Sequence, residues 1–349
     1  MQNSNRIISL DVIRVLACLM VVLMHSPMPT QQSGGLIGLM SSSISYFTTP
    51  CIGLFFMVSG ALLLPIKEQT AGRFMRKRLG KVLAPTLSWT AIYLIIKLLI
   101  GTDISAFTWL SIPFSAQGNG VLWFMYTLAG LYLLAPVISP WLAKASEKEL
   151  RMYLLLWGVT LCYPLLKLAL DINESNTGIL YYFTGYAGYF ILGYYMMHYG
   201  QKIKVPWATA GFAISLSAVT IVKLAGWEVN FYSLFWYLSI FVALMCIFWW
   251  KIITAICSRI SFHVHHMSVK WITTISNLSF GIYLSHIAIM RYWLWDTQWI
   301  ANIGSYFIQT FVIAILTFIF SAVFCYAISL LPFASYLIGY SSKKNIAKR

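Results

Sequence analysis

Runs of roughly 20 apolar residues, enough for a helix to cross the hydrocarbon of a bilayer, recur from residue 7 to residue 331 with only short polar connections between them. Ten are legible, at approximately 7–26, 44–66, 82–100, 121–140, 152–170, 179–199, 206–225, 231–250, 272–293 and 303–331. Backbone in lipid must satisfy every N–H and C=O internally, so runs of this length read as helices. The expected fold is therefore an all-α, polytopic membrane protein of about ten transmembrane helices. The residue content agrees: 60% is hydrophobic and 9% charged, against roughly 25% charged in a soluble domain, so a water-facing surface cannot be assembled. No internal repeat or low-complexity linker divides the chain. A single domain over 1–349 is expected, ending in a basic tail, 332–349, without an appended extracytoplasmic domain.

The net charge of +15 raises the question of nucleic acid. A nucleic-acid binder gathers its charge on a solvated face, whereas here the basic residues lie between apolar runs, as the positive-inside rule requires. One side of the predicted topology receives Arg6, then Lys67, Arg73, Arg76, Lys77, Arg78 and Lys81, then Lys144, Lys148, Arg151, Lys202, Lys204, Lys251, Arg259 and Lys270, and finally Lys343, Lys344, Lys348 and Arg349. The other receives little beyond Lys223 and Arg291, together with Asp103, Asp171, Glu174, Glu228 and Asp296. Both termini are expected in the cytoplasm. Trp109, Trp123, Trp227, Trp293, Trp295 and Trp299 fall near the expected outer ends, where aromatic belts form. The six cysteines show no CxxC and no metal spacing, and read as packing residues. The first run lacks a small-residue cleavage site and reads as an uncleaved span. His263, His265 and His266 cluster without a nearby Cys or carboxylate, and no metal is expected.

Ionisable residues inside a span mark functional sites by default. The first span carries Asp11, Arg14 and His25. Asp11 is three residues before Arg14, on the same helix face. Arg14 and His25 are eleven apart, three turns plus about 20°, with a rise of about 16 Å. One stripe thus presents an acid and a base near one end of the span and an imidazole near the other. The structural alternative is an interfacial ion pair plus a packing histidine, and spacing does not decide between them. His286, about 21 Å up the ninth span, is a second histidine candidate, with Tyr283 on its face, or equally a packing histidine hydrogen-bonded to a neighbouring helix. Trp123 and Tyr126 are candidates for stacking on a sugar, or simply interfacial aromatics. Ser59, before Gly60, reads chiefly as a small residue permitting close helix packing.

The run Leu10-Asp11-Val12-Ile13-Arg14-Val15-Leu16-Ala17, with His25 at Arg-x10-His spacing, resembles the opening of the membrane-bound acyltransferase family 3. Similar blocks follow in order: Phe55-Phe56-Met57-Val58-Ser59-Gly60, Phe74-Met75-Arg76-Lys77-Arg78, Leu122-Trp123-Phe124-Met125-Tyr126 with Ala135-Pro136, and Ser279-Phe280-Gly281-Ile282-Tyr283-Leu284-Ser285-His286. The chain departs from the family pattern in having Arg14-Val15 where Arg-Gly is usual. The family's Arg-x-x-Arg fits Arg73-Phe74-Met75-Arg76, while Arg78-Leu79-Gly80-Lys81 lies nearer the usual place and ends in lysine.

The resemblance implies an integral membrane O-acyltransferase. It would move an acyl group, usually acetyl from cytoplasmic acetyl-CoA, to a hydroxyl of a surface glycan, a lipid-linked sugar or another small acceptor. The lack of a cleavable targeting signal fits a bacterial inner membrane, with an internal eukaryotic membrane as the alternative. His25 is then the expected general base, with a transient acyl carrier as its alternative role, Arg14 the group that holds the donor's phosphate or carbonyl oxygen, and Asp11 the group that orients Arg14. His286 would orient the acceptor or the first histidine. Arg73, Arg76, Lys77, Arg78 and Lys81 would seat the nucleotide end of the polyanionic CoA, with anionic lipid as their other natural partner. Trp123, Tyr126 and Tyr283 would contact the acceptor. A helical bundle that exports an acyl group, a lipid-linked sugar or a polysaccharide is the competing class. Neither the acyl group nor the oligomeric state is legible.

Overall fold

The computed structural model describes residues 6–28, 35–66, 70–116, 120–170, 179–227, 230–260 and 267–342. Of the residues singled out above, Lys67, Asp171, Glu174, Glu228, His263, His265, His266, Lys343, Lys344, Lys348 and Arg349 lie outside the described residues. In chain order the helices are α1 (Ile8–His25), α2 (Gly35–Thr48), α3 (Pro50–Leu63), α4 (Ala71–Leu99), α5 (Ala106–Ser111), α6 (Trp123–Leu142), α7 (Glu147–Leu161) and α8 (Tyr163–Leu170). They continue as α9 (Ala187–Tyr199), α10 (Val205–Leu224), α11 (Phe231–Leu234), α12 (Ile240–Arg259), α13 (Met267–Ile289), α14 (Gln298–Ala301), α15 (Tyr306–Ser329) and α16 (Ala334–Ile338). No strand occurs among the described residues.

Among the described residues eight stretches are long and apolar enough to cross a membrane: α1, Gly35–Leu63, α4, Gly120–Leu142, α10, α12, Met267–Leu294 and α15. The protein is thus all-helical and multi-pass. The remaining two predicted runs, 152–170 and 179–199, are built from the shorter helices α7, α8 and α9.

Three boundaries differ from the hydropathy reading for identifiable reasons. α4 begins at Ala71 rather than near residue 82, so the basic residues stand on a helix and not in a loop. An apolar ruler finds where lipid ends, while Arg, Lys and Met remain good helix formers beyond that point. α12 begins nine residues after the predicted 231, because the Ser239 hydroxyl accepts the Val242 N–H and starts the helix there. At α7 a capping box sets the start: Ser146 and Glu149 exchange side-chain and backbone hydrogen bonds at 2.7 and 3.3 Å.

The chain forms two compact units, each from two stretches: Met1–Pro65 with Ser139–Ser276, and Ile66–Ile138 with Asn277–Arg349. In the first, α3 and α9 meet backbone to backbone. A Cβ on Gly60 would stand 1.8 Å from the Phe190 carbonyl oxygen, and one on Gly193 would stand 1.9 Å from that of Met57. Only glycine permits this crossing, the small-residue packing by which membrane helices associate without a hydrophobic drive. Ser59 therefore sits beside a packing glycine. α1 packs on α2, α3 and α12, and α10 packs on α12 and α2.

In the second unit α16 turns back onto α4. The Trp89 indole N–H donates to the Leu337 carbonyl at 2.9 Å, and Tyr93 on the same helix donates to the Leu284 carbonyl at 2.8 Å. Gly281 faces Ile338 and Cys325, with room for no side chain. Gly339 ends α16 in the left-handed region, φ +68°, a conformation that costs glycine little.

Candidate active-site elements

At the N-terminal end of α1, Asp11 is buried, with 6% of its side chain exposed. Three groups converge on its carboxylate. Arg6 reaches it with both arms of its fork, Nε to Oδ2 at 2.6 Å and Nη2 to Oδ1 at 3.0 Å. Ser276, on α13, donates its hydroxyl to Oδ1 at 2.6 Å. Arg14 stands farther off, Nη1 to Oδ1 at 3.7 Å, and donates instead to the Ser276 oxygen at 3.0 Å. Arg6 also donates to the Thr273 carbonyl at 3.3 Å, so the first turns of α13 clasp the start of α1.

The expected Asp11–Arg14 pair is therefore present but is the looser of the two. In the sequence Arg6 stands out only as a topological charge, and Ser276 does not stand out at all. Arg6 lies just before the helix, where helical spacing rules do not reach, and a serine in an apolar run is usually a packing residue. Among the described residues two guanidiniums, Arg6 and Arg14, face the one carboxylate of Asp11. Arg14 keeps 26% of its side chain exposed, and planar guanidinium N–H groups match phosphate and carboxylate oxygens.

His25 is the last residue of α1 and is half-buried. Its surroundings are fixed on both sides. The Tyr237 hydroxyl donates to the Met24 sulfur at 3.3 Å, and the Tyr237 carbonyl accepts the Tyr189 hydroxyl at 2.6 Å. The Ser26 hydroxyl turns back to the Val22 carbonyl at 2.7 Å. The imidazole is thus carried by an anchored helix end, about 16 Å of helical rise from Arg14.

Arg73, Arg76, Lys77 and Lys81 are exposed and Arg78 is half-buried, all within the first turns of α4. Cations at a helix N-terminus oppose the macrodipole, and like charges three or four apart repel. Among the described residues Arg73, Arg76, Lys77 and Arg78 form no ion pair. Such a face gains by taking up an anion.

On α13 the His286 side chain is fully buried, with Nδ1 2.6 Å from the Tyr283 carbonyl oxygen. A carbonyl only accepts, so Nδ1 carries the proton, and a neutral ring presents Nε2 as a base or acceptor. The Tyr283 hydroxyl donates to the Val121 carbonyl, and its ring packs on Phe124 at 5.2 Å. The Tyr126 hydroxyl donates to the Ile112 carbonyl at 2.6 Å. Both tyrosines thus pin the segment leading into α6, which begins at Trp123. A π-helical turn, Met290–Leu294, follows α13. Among the described residues no cluster of His, Cys, Asp and Glu is arranged to hold a metal.

No curated protein and no solved structure matches the chain. One family does, described as an acyltransferase domain, over residues 7–330. That span takes in the α1 charges, the basic face of α4 and the α13 histidine, and on this match over nearly its whole length the chain belongs to the acyltransferase 3 family.

Proposed function

We propose that this membrane acyltransferase uses acyl-CoA, acetyl-CoA in the first instance, taken from the cytoplasm, and acylates a hydroxyl of a surface glycan or lipid-linked sugar in a bacterial inner membrane. The observation that carries the reading is the placement of Arg14: a part-exposed guanidinium at one end of α1, with His25 at the other end of the same helix. In this reading Arg14 engages an oxygen of the donor, and the cations at the start of α4 raise the local concentration of the polyanionic nucleotide. The pantetheine arm then runs along α1 toward His25.

The chemistry follows from the groups at hand. The acceptor hydroxyl attacks the thioester carbonyl carbon while His25 takes its proton, a role suited to an imidazole near neutrality. The tetrahedral oxyanion collapses, the C–S bond breaks, and the proton on His25 passes to the leaving CoA thiolate. His286, with Nε2 as the acceptor in its neutral form, receives a hydrogen bond from the acceptor molecule, and Trp123, Tyr126 and Tyr283 frame its approach. Both termini lie on the cytoplasmic side.

Calorimetric titration of the detergent-purified protein with CoA and acetyl-CoA tests the donor assignment. The reading predicts saturable binding that weakens in the Arg14→Ala, His25→Ala double variant. Folded protein that binds neither ligand would remove the donor assignment.

A further inference from the structure

We propose that the stretch after α4 is a re-entrant membrane segment, in which α5 lies against lipid hydrocarbon instead of in an aqueous loop. Its partner is the hydrocarbon of the leaflet into which α4 runs.

The depth of the segment is the first observation. α4 ends at Leu99, where the Gly101 and Thr102 N–H groups close back on the Leu98 and Lys97 carbonyls at 3.0 and 2.9 Å. The chain turns there through Gly101, at φ +83°. Counted from Lys81, the last basic residue at the start of α4, a hydrocarbon layer of about 30 Å takes about 20 residues of helix, so Leu99 is close to its far edge. The Tyr126 hydroxyl donates to the Ile112 carbonyl at 2.6 Å and lies 3.5 Å from the Thr90 hydroxyl. Thr90 precedes Leu99 by nine residues, about 13 Å along the axis. Ile112 is thus held near the level of Thr90, and the chain between Leu99 and Ile112 comes back into the layer.

Polarity is the second. Phe107, Leu110 and Phe114 are 81, 72 and 84% exposed, and spacings of three and four residues put them on one side. Thr108, Ser111 and Ser115 are half-buried. A helix on a water-facing surface hides its apolar side, whereas this one turns it outward. The same apolar surface continues onto the membrane-spanning α4, where Leu98, Leu99 and Ile100 are exposed.

The third is the backbone, whose polar groups must find partners wherever water is excluded. The Ser105 hydroxyl accepts the Thr108 N–H at 3.3 Å, and the Ile112 and Phe114 N–H groups reach the Trp109 and Ser111 carbonyls at 3.4 and 2.9 Å. Pro113, between them, has no N–H to satisfy. Tyr126 takes the Ile112 carbonyl, and so fastens a lipid-facing flap to α6.

Nitroxide spin labels on the full-length protein in lipid nanodiscs test this, attached singly at Phe107→Cys, Leu110→Cys and Phe114→Cys. Wild-type protein treated in parallel supplies the background from the native cysteines. Collisional relaxation by O2, which concentrates in hydrocarbon, is compared with that by a neutral Ni(II) chelate, which stays in water. The proposal predicts O2 relaxation severalfold above Ni(II) relaxation at all three positions. Dominant Ni(II) relaxation places α5 in water, and weak relaxation by both places a second copy or another protein over it; either result overturns the proposal. Should the cysteine variants fail to fold, wild-type protein in nanodiscs carrying a phosphatidylcholine with a diazirine in its acyl chain gives the same answer. Photoadducts at Phe107, Leu110 or Phe114 are expected, and adducts confined to the spanning helices would overturn it.

Discussion

Arg6 holds Asp11 more closely than Arg14 does: its Nε is 2.6 Å from the carboxylate, against 3.7 Å for the nearest Arg14 nitrogen. The charge that flanks α1 on its N-terminal side thus keeps the helix's buried acid occupied. Arg6→Ala should let Arg14 fall onto Asp11. The expected outcome is weaker donor binding from a residue that need not touch the donor, with CoA affinity lower by roughly five- to tenfold. Calorimetry on Arg6→Ala and Arg6→Lys checks it, and Lys should restore only part of the affinity, since an ammonium cannot engage both oxygens in a fixed fork.

The start of α7 carries a second charge network. Glu147 accepts from Arg151 at 2.6 Å and from Lys202, tying α7 to the turn after α9. Lys202, then Arg151, hold the Glu147 carboxyl below the ordinary carboxylate range. A carboxyl with a depressed folded-state pKa contributes stability above its unfolded value and loses it as pH falls through the folded value. Glu147→Gln should therefore lower Tm at neutral pH, and the difference from wild type should shrink toward zero as pH drops below the carboxylate range. Thermal melts in detergent across that range test this, and high salt should shrink the gap as well.

The crossing of α3 and α9 leaves no space for a methyl group at Gly60 or Gly193. Ala at either position should destabilise the fold by about 1–3 kcal/mol or more, seen as a lower Tm and poorer recovery from membranes. Ser59→Ala, by contrast, should leave both turnover and yield near wild type. Loss of turnover in a well-folded Ser59→Ala would give that hydroxyl a chemical role.

The Tyr126 and Tyr283 hydroxyls are spent on the Ile112 and Val121 carbonyls. Tyr→Phe at either position removes a tether and keeps the ring. Each change should cost about 0.5–1.5 kcal/mol in stability and raise the KM for acceptor more than that for donor. Separate titrations of the two substrates distinguish this from a general loss of fold.

The helical membrane architecture and the Asp11–Arg14 contact are legible, because apolar run length and helical spacing are local properties. The position of the basic residues within α4 was not, since hydropathy marks lipid contact and helix propensity continues past it. The α12 start escaped for the opposite reason: apolar residues run unbroken through a turn, and only the Ser239 cap marks the boundary. The Arg6–Asp11–Ser276–Arg14 arrangement depends on which α13 turn lies against α1, a contact 262 residues apart in the chain for Arg14 and Ser276, which no local pattern encodes.

The central claim is that His25 takes the acceptor proton while the donor lies along α1. The most direct measurement is transfer of radiolabelled acetyl from acetyl-CoA in inside-out membrane vesicles containing wild-type protein or His25→Ala, alongside acetyl-CoA binding to each. The account predicts a loss of transfer on the order of 100-fold or more for His25→Ala, with donor binding retained. Transfer by His25→Ala at the wild-type rate would contradict it.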